Sequence, residues 1–383
     1  MLNLHIVRNT VTYDSRVLKE SRFLLESGLF SRLEVCGFDE AESESELEDG
    51  RRIRRIALRS RALPKDLLSQ SVKYLEWHAR VVNLYRKETL GVIHCHDLEP
   101  LAIGVHLKQL TGARLVYDAH ELESERHGSR VFRKRLGFWM ERRLIPSVDS
   151  MITVSPSILK WYEERFPRVS IHLVRNIPEL PGDPAPSRPL RKSLEVPEDA
   201  LLFLYIGGLT GGRGIETILK VFQDRQIKHH VAFLGSGALA TLVQVSSRSC
   251  PRIHLLERVS PDEVLSYVAG ADVGLCLIED TCLSYRFCLP NKLFETLLAG
   301  IPVLASDLPD QAAIVRKHNA GWVVRNEEHS VRHLLLHLSV GEARQVRSGL
   351  TERVKQLRWR NEVHGLLGAY NAAGFPGTSK GHE

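Results

Sequence analysis

Proline decides the layout of this chain. Pro178, Pro181, Pro184, Pro186, Pro189 and Pro197 crowd one segment, and no hydrophobic period crosses it. Proline lacks a backbone N–H and fixes φ, so at this density the chain continues neither a helix nor a central strand. The segment reads as a linker, residues 179–198, with one domain before it (1–178) and another after it (199–358). A chain of 383 residues is long for one core and comfortable for two.

On both sides of the linker, short apolar runs alternate with longer amphipathic ones, the pattern of parallel sheets wrapped by helices. In the first part strands are expected at Leu2–Val7, Leu33–Gly37, Val92–Cys95, Arg114–Tyr117, Met151–Val154 and Ile171–Val174. In the second they are expected at Leu201–Ile206, His230–Leu234, Ile253–Leu256, Val273–Leu277, Val303–Ala305 and Trp322–Val324. Their β-branched content supports the assignment. Between them, Asp66–Lys87 repeats Leu68, Val72, Leu75, Val82 and Tyr85 at helical spacing. Ser260-Pro261-Asp262-Glu263 has the form of a capping box opening another helix. The expected fold class is α/β: two doubly wound, Rossmann-like domains with a cleft between them, and ligands at the carboxyl ends of the strands.

Composition excludes several other classes. Apolar residues make up 43% and charged residues 26%, as in a globular protein rather than a disordered one. No run approaches the roughly 18 apolar residues of a membrane span. Met1–Val7 carries no basic leader or cleavage site, so no secretory signal is expected. The cysteines Cys36, Cys95, Cys250, Cys276, Cys282 and Cys288 form no C-x-x-C pair, and Cys36, Cys95 and Cys276 lie in apolar runs, which suits a reduced, cytoplasmic setting. The net charge of +6 is patchy, an acidic stretch Asp39–Asp49 running into arginines from Arg51 to Arg61. Such patches bias encounters with charged partners, but no nucleic-acid motif accompanies them, and no nucleic-acid partner is expected.

Two segments of the second part carry chemistry. After the strand Leu201–Ile206 comes Gly207-Gly208-Leu209-Thr210-Gly211-Gly212-Arg213-Gly214, then a helix. Glycines let backbone N–H groups approach an anion, a helix N-terminus adds partial positive charge, and Arg213 offers a fork of donors to phosphate. Taken alone, the loop is equally a common glycine-rich turn with a solvated arginine. The later helix in Leu289-Pro290-Asn291-Lys292-Leu293-Phe294-Glu295-Thr296-Leu297-Leu298-Ala299-Gly300 puts Leu293, Phe294, Leu297 and Leu298 on a core-facing arc. Asn291, Lys292 and Glu295 fall on the opposite arc, where a carboxylate suits ribose hydroxyls and a cation suits a diphosphate. A merely wet helix face fits the same pattern. A third segment, Gly235-Ser236-Gly237-Ala238-Leu239-Ala240 after a strand, with Glu257 beyond it, has the form of a dinucleotide fingerprint and keeps an NAD-dependent oxidoreductase as an alternative.

The pairing of the Gly-Gly-Leu-x-x-x-Arg-Gly loop with the Asn-Lys-Leu-Phe-Glu-x-x-x-Ala-Gly-x-Pro-Val helix resembles the large retaining glycosyltransferase family four, of GT-B fold, over nearly the whole chain. The resemblance implies transfer of a glycosyl group from a nucleotide-diphosphate sugar to a glycan or lipid-linked acceptor, with no cofactor and no metal. It implies donor contacts from Gly207, Gly208, Arg213, Gly214, Arg258, Asn291, Lys292, Leu293 and Glu295, with Glu295 on the ribose and Arg213 on the diphosphate. Gly235-Ser236-Gly237 then resembles the family's next turn and Glu257-Arg258-Val259 its nucleobase-side strand end. Two positions depart from the pattern. Phe287 stands where the family commonly has a second glutamate, and Gly208 stands where it commonly has an arginine. Lys292 is placed to restore that missing charge, as in a subgroup with the Leu-Pro-Asn-Lys-Leu-Phe-Glu wording.

In the first part, strands run into His96-Asp97 and into Asp118-Ala119-His120-Glu121. The resemblance puts His120 beside the reacting sugar as the catalytic candidate, and Asp14 and Arg16, with Asp97, on the acceptor side. Asp97 also reads as a helix N-cap, and Asp14 as a helix start. His94 and His96 share a strand face with His120 in reach, so a metal-dependent hydrolase is a further alternative. Arg130–Leu144 mixes basic residues with Phe132, Phe138 and Trp139, which suits an anionic membrane surface as well as an ordinary basic helix face. A peripheral position on the cytoplasmic face of the membrane follows from that reading. The C-terminal helix, about residues 360–372, is expected to return to the first domain by the same resemblance, with Trp359 and Tyr370 as anchors and Gly374–Glu383 frayed.

Overall fold

Each strand expected from an apolar run forms within two residues of its expected ends in the computed structural model, which describes residues 1–126, 131–179 and 187–375, the side chains of residues 131–133, 261 and 262 excepted. The chain divides into two units. One is Met1–Arg175 together with the chain from Glu362 onward, and the other is Asn176–Asn361.

The first unit holds β1 (Leu2–Ile6), β2 (Arg32–Phe38), β3 (Ser43–Glu46), β4 (Arg52–Ile56), β5 (Leu90–His96), β6 (Arg114–Ala119), β7 (Ser150–Thr153) and β8 (Ile171–Leu173). Its strand order is β3-β4-β2-β1-β5-β6-β7-β8, parallel except for β3 against β4. The second holds β9 (Leu202–Ile206), β10 (His230–Leu234), β11 (Ile253–Leu256), β12 (Val273–Cys276), β13 (Val303–Ser306) and β14 (Gly321–Val324), in the order β11-β10-β9-β12-β13-β14 and parallel throughout. Each sheet reverses its winding beside its central strand, between β1 and β5 and between β9 and β12. Doubly wound sheets take ligands at that reversal, outside the strands' carboxyl ends.

The strands read as continuous apolar runs because helices cover both sheet faces. In β9, Phe203 and Tyr205 join one core with Val231 and Phe233, while Leu202, Leu204 and Ile206 join another with Ala232 and Leu234. From Glu362 onward the last helix, Trp359–Ala372, packs on the first sheet: Asn3 Nδ2 donates to the Tyr370 hydroxyl at 3.0 Å, and that hydroxyl lies 2.9 Å from His94 Nδ1. Glu362 accepts from the Arg175 backbone N–H at 2.9 Å.

Four expectations gain detail or need correction. The acidic stretch and the arginine cluster meet in the antiparallel pair β3–β4, where Arg54 pairs with Glu44 (3.1 Å) and also reaches Glu34 of β2 (2.9 Å). The helix Leu67–Tyr85, capped by Asp66, buries Trp77, Val81, Val82 and Tyr85, while Leu68 is 76% and Leu75 65% exposed. The Ser260 hydroxyl bonds Glu263 Oε2 at 3.1 Å instead of capping backbone; Glu263 is also engaged by Arg188, and a capping box forms instead at Ser339 with Glu342. Leu190–Ser193, within the expected linker, is a helical turn of the second unit that buries Leu190 in its core. Residues 180–186 of the linker, Arg130 of the basic helix and residues 376–383 of the tail lie outside the described residues.

Candidate active site

In the second unit, the helix Asn291–Leu298 fixes the site. Leu293, Phe294 and Leu297 are fully buried, each contributing about 1.5–3 kcal/mol of apolar transfer. Its C-terminus closes as a Schellman turn: Gly300 adopts φ +71°, its N–H reaches Leu297 O at 3.0 Å, and the Ile301 N–H reaches Thr296 O at 3.2 Å. With both ends set, Lys292 is drawn inward. It is 8% exposed, contrary to its expected place on a wet arc. Its Nζ lies 3.6 Å from the centre of the Tyr205 ring, beneath Gly207, and has no hydrogen-bond partner among the described residues.

Burial lowers the Lys292 ammonium to about 8, and the charge of Arg213 acts in the same direction. The neighbouring thiols do not neutralise it, since burial pushes Cys276 and Cys288 up to about 12. Arg213 stacks over Tyr285 at 5.0 Å. The site therefore brings two cations together, and Glu295, on the same helix as Lys292, only partly offsets the lowering of the ammonium.

The glycine loop supplies the rest. Gly207 takes φ +108° above Lys292, and Gly214, at φ +71°, heads the helix Ile215–Gln223 with no side chain to cap it. The first N–H groups of that helix stay available to an anion. A Cβ on Gly214 would meet Leu277 O at 2.6 Å, so the tight approach to the end of β12 needs glycine there. The Tyr205 hydroxyl donates to Gly208 O at 2.7 Å, which ties the loop to the ring under Lys292. Glu295 is half-buried on the same helix as Lys292, Asn291 opens it, and Arg258 is exposed just past β11. Leu293 differs from its expected role: it is core, its N–H is taken by Pro290 O at 3.0 Å, and it anchors the helix. Tyr205 and Tyr285 were not foreseen; the loop and helix motifs do not include them.

Local packing accounts for the glycines of Gly235-Ser236-Gly237. A Cβ on Gly235 would run into Gly207 O, and one on Gly237 into Leu209 O. These glycines exist to let the β10 turn pack against the neighbouring loop.

In the first unit, β1, β5 and β6 bring a polar cluster to their carboxyl ends. His5 pairs in register with His94, and His96 with Asp118. His5 Nδ1 lies 2.9 Å from His96 Nε2, His96 Nδ1 lies 3.2 Å from His120 Nε2, and His120 Nε2 lies 3.1 Å from Asp118 Oδ2. Arg16 is buried and donates to both Asp118 oxygens at 2.8 Å, so it braces Asp118 rather than lining an open acceptor loop.

Burial alone would raise the Asp118 carboxyl; Arg16 and His120 outweigh it and hold it well below the usual range. Burial alone would lower His120; Asp97 and Asp118 outweigh it and raise it to about 10. His120, with 23% of its side chain exposed, is thus an imidazolium at neutral pH: a donor and a charge, not a general base. His5, His94 and His96 go the other way, lowered first by burial. Asp97, expected as a cap by side chain, makes no cap bond; its Oδ1 accepts the His120 N–H at 3.2 Å, and its φ of +68° turns it there. Asp14 caps the helix Ser15–Glu26 through Val17 N–H at 3.1 Å.

Ligating atoms of His5, His94 and His96, and of Glu20, His94, His96 and Asp118, lie within 4.8 Å of one another. A metal ion among the latter would face the Arg16 guanidinium, already 3.0 Å from Glu20 and 2.8 Å from Asp118. His120 belongs to neither group.

Comparison with known proteins agrees with these two sheets. The chain is similar over 97% of its length to sucrose-phosphate synthase from Thermosynechococcus elongatus (TM-score 0.78, 17% identity, 98% of that chain). It is similar over the same share to the Anabaena protein HepE solved with UDP-glucose (TM-score 0.71, 12% identity, 100% of that chain). The fold is GT-B. Residues 27–176 match the glycosyl transferase 4-like domain family and residues 200–339 the glycosyl transferases group 1 family. The chain belongs to the glycosyltransferases of GT-B fold. A putative teichuronic acid biosynthesis glycosyltransferase of Bacillus subtilis is 24% identical over 274 residues, 67% of this chain and 64% of that relative's length. Neither the oxidoreductase nor the metal-dependent hydrolase alternative finds support.

Proposed function

We propose that the chain transfers a glycosyl group from a nucleotide-diphosphate sugar to a glycan or lipid-linked acceptor, with retention of configuration, in the synthesis of a cell-surface polysaccharide or glycolipid. The observation that carries the reading is the pair of neighbouring cations, Arg213 and a Lys292 buried without a hydrogen-bond partner among the described residues, beside two helix starts without side-chain caps. A diphosphate is the group that satisfies all of them. As the sugar–phosphate bond breaks, negative charge grows on the leaving diphosphate, and fixed cations and N–H groups aimed there stabilise the transition state more than the ground state.

In this reading Glu295 accepts from the ribose hydroxyls, and Gly207, Gly208 and Gly214 give the phosphates close backbone approach. Asn291 and Arg258 border the nucleotide. The His120 imidazolium donates to the sugar, and the leaving phosphate takes the acceptor's proton, so no protein base is required. Asp97 and Asp118 keep His120 charged, with Arg16 holding Asp118 in place and Asp14 holding the start of Arg16's helix. No metal or cofactor takes part. The names of the teichuronic acid relative and of the UDP-glucose complex support a polysaccharide pathway and a UDP-linked donor.

The protein works at the cytoplasmic face of the membrane, where the helix Val131–Leu144 exposes Leu136, Phe138 and Trp139 among Arg135, Arg142 and Arg143. No helix of the described residues is long and apolar enough to cross a bilayer. Thermal unfolding with UDP, GDP, ADP, NAD or zinc tests the donor reading. A nucleoside diphosphate at about 100 times its Kd adds about 2.7 kcal/mol of stability. Stabilisation by NAD or zinc and by none of the diphosphates would refute it.

A further inference from the structure

The first unit carries a second cationic site that the reading above does not use. A cavity of about 290 Å³ opens at the carboxyl ends of β1, β2 and β4, where Arg8 follows β1, Phe38 ends β2 and Leu58 follows β4. Its other wall is the helix Leu67–Tyr85, whose Gln70, Lys73, Tyr74 and Trp77 share one face by their spacing. Among the described residues the lining includes Arg8, Arg61, Lys65 and Lys73 and no carboxylate.

These cations are only partly matched. Arg8 pairs with Glu99 and Arg61 with Glu40, both carboxylates standing outside the lining. Lys73 donates to the carbonyls of Leu63 (2.6 Å) and Pro64 (3.3 Å), which leaves its charge unbalanced. Lys65 is exposed without a partner among the described residues. At the cavity wall Trp77 is 2% exposed, and its buried Nε1–H has no acceptor among the described residues. A buried donor without an acceptor is costly to keep, and a ligand oxygen would satisfy it. Two arginine forks, two ammonium groups and an orphan N–H suit a multivalent oxyanion better than a single carboxylate.

We propose that this cavity receives the phosphate group of the glycosyl acceptor. The proposal rests on the reading of the chain as a nucleotide-sugar transferase and names the acceptor's chemistry. That phosphate belongs either to a water-soluble sugar phosphate or to a lipid-linked one. Beside the cavity the same helix leaves Leu68, Val72 and Leu75 exposed at helical spacing, next to exposed Leu63 and Leu67, a strip on which an acyl or prenyl chain could lie.

Titration calorimetry of the full chain with inorganic pyrophosphate and with farnesyl diphosphate tests this, comparing wild type, Lys65→Glu/Lys73→Glu and Lys292→Gln. The expected result is two pyrophosphate sites in the wild type, one weakened tenfold or more in the Lys65/Lys73 variant and the other in Lys292→Gln. Farnesyl diphosphate binding tighter than pyrophosphate, with the advantage lost in Leu68→Asp/Leu75→Asp, identifies a lipid-linked acceptor; equal affinities identify a soluble one. If the Lys65/Lys73 variant titrates as wild type does, or if all phosphate binding vanishes with Lys292→Gln, the proposal is overturned. Neither outcome depends on donor turnover, so the donor site's own test remains separate.

Discussion

Replacing Lys292 with Met keeps the length of the side chain and removes its charge. In the free protein the ammonium is buried, unpartnered and lowered from its ordinary 10.5 to about 8. That displacement corresponds to about 3 kcal/mol held against the charged form at neutral pH. The Tyr205 face, 3.6 Å away, returns about 0.5–2 kcal/mol of it. Lys292→Met should therefore stabilise the ligand-free protein by about 1–2 kcal/mol, an increase in Tm of about 2–8 °C. The sign has a pH signature. Because the folded pKa lies below the unfolded one, the penalty is complete below about 8 and fades as pH rises toward 10.5, so the advantage of Met fades with it. With nucleotide the order reverses: losing a charge-assisted contact of about 1.5–3 kcal/mol weakens nucleoside diphosphate binding about 10- to 150-fold. Thermal unfolding with and without nucleotide, joined to calorimetry, reads both effects. A variant with lower Tm and unchanged nucleotide affinity would mean that Lys292 is a structural brace, and the reasoning would be wrong.

Three further outcomes follow from the same geometry. Nucleoside diphosphate affinity should fall above pH 8, by up to about tenfold per pH unit, because the bound anion requires the protonated Lys292; calorimetry in buffers of different ionisation enthalpy should show proton uptake near pH 8, and a flat profile from 7 to 9.5 would contradict it. Asp118→Asn leaves the buried Arg16 with Glu20 and the Val174 carbonyl as its remaining partners and should cost about 3–5 kcal/mol in chemical denaturation, while lowering the pKa of His120 from about 10 in an NMR titration; an unchanged histidine titration would show that Asp118 does not hold its proton. Gly235→Ala should cost more than about 2 kcal/mol, since its Cβ would strike Gly207 O, whereas Gly211→Ala meets nothing within 4 Å and should change stability by less than about 0.5 kcal/mol; equal effects in denaturant melts would sink the packing account of the Gly235 turn.

The sequence revealed the fold wherever stability comes from apolar burial. Runs such as Leu202–Ile206 have both faces covered, so their hydrophobicity is continuous and their β-branched neighbours mark them. β3 and β4 escaped because cross-strand ion pairs, Arg54 with Glu44 and Glu34, replace apolar alternation there. In the site, Arg213, Lys292 and Glu295 stood out by motif. The burial of Lys292 did not, because helical spacing says nothing about Tyr205 on a neighbouring strand. His5 passed as one polar residue in the run Leu2–Val7; its role depends on the β1–β5 register that sets it against His94, a pairing across nearly ninety positions that no local pattern encodes. Asp97 looked like a cap, yet its positive φ turns the carboxylate to His120. The outward strip of Leu68, Val72 and Leu75 misled in the opposite way, since correct helical periodicity did not mean a buried face.

The central claim is that the second unit holds a nucleotide-sugar site built on Glu295, Lys292 and Arg213. Slow hydrolysis of UDP-, GDP- and ADP-sugars by the full chain, without acceptor, tests it most directly when repeated with Glu295→Ala. At least one donor should be turned over by the wild type, with kcat/KM falling about 10- to 100-fold in the variant, the loss of one or two hydrogen bonds to a charged carboxylate. Turnover of no donor, or a variant as active as the wild type, would contradict the claim.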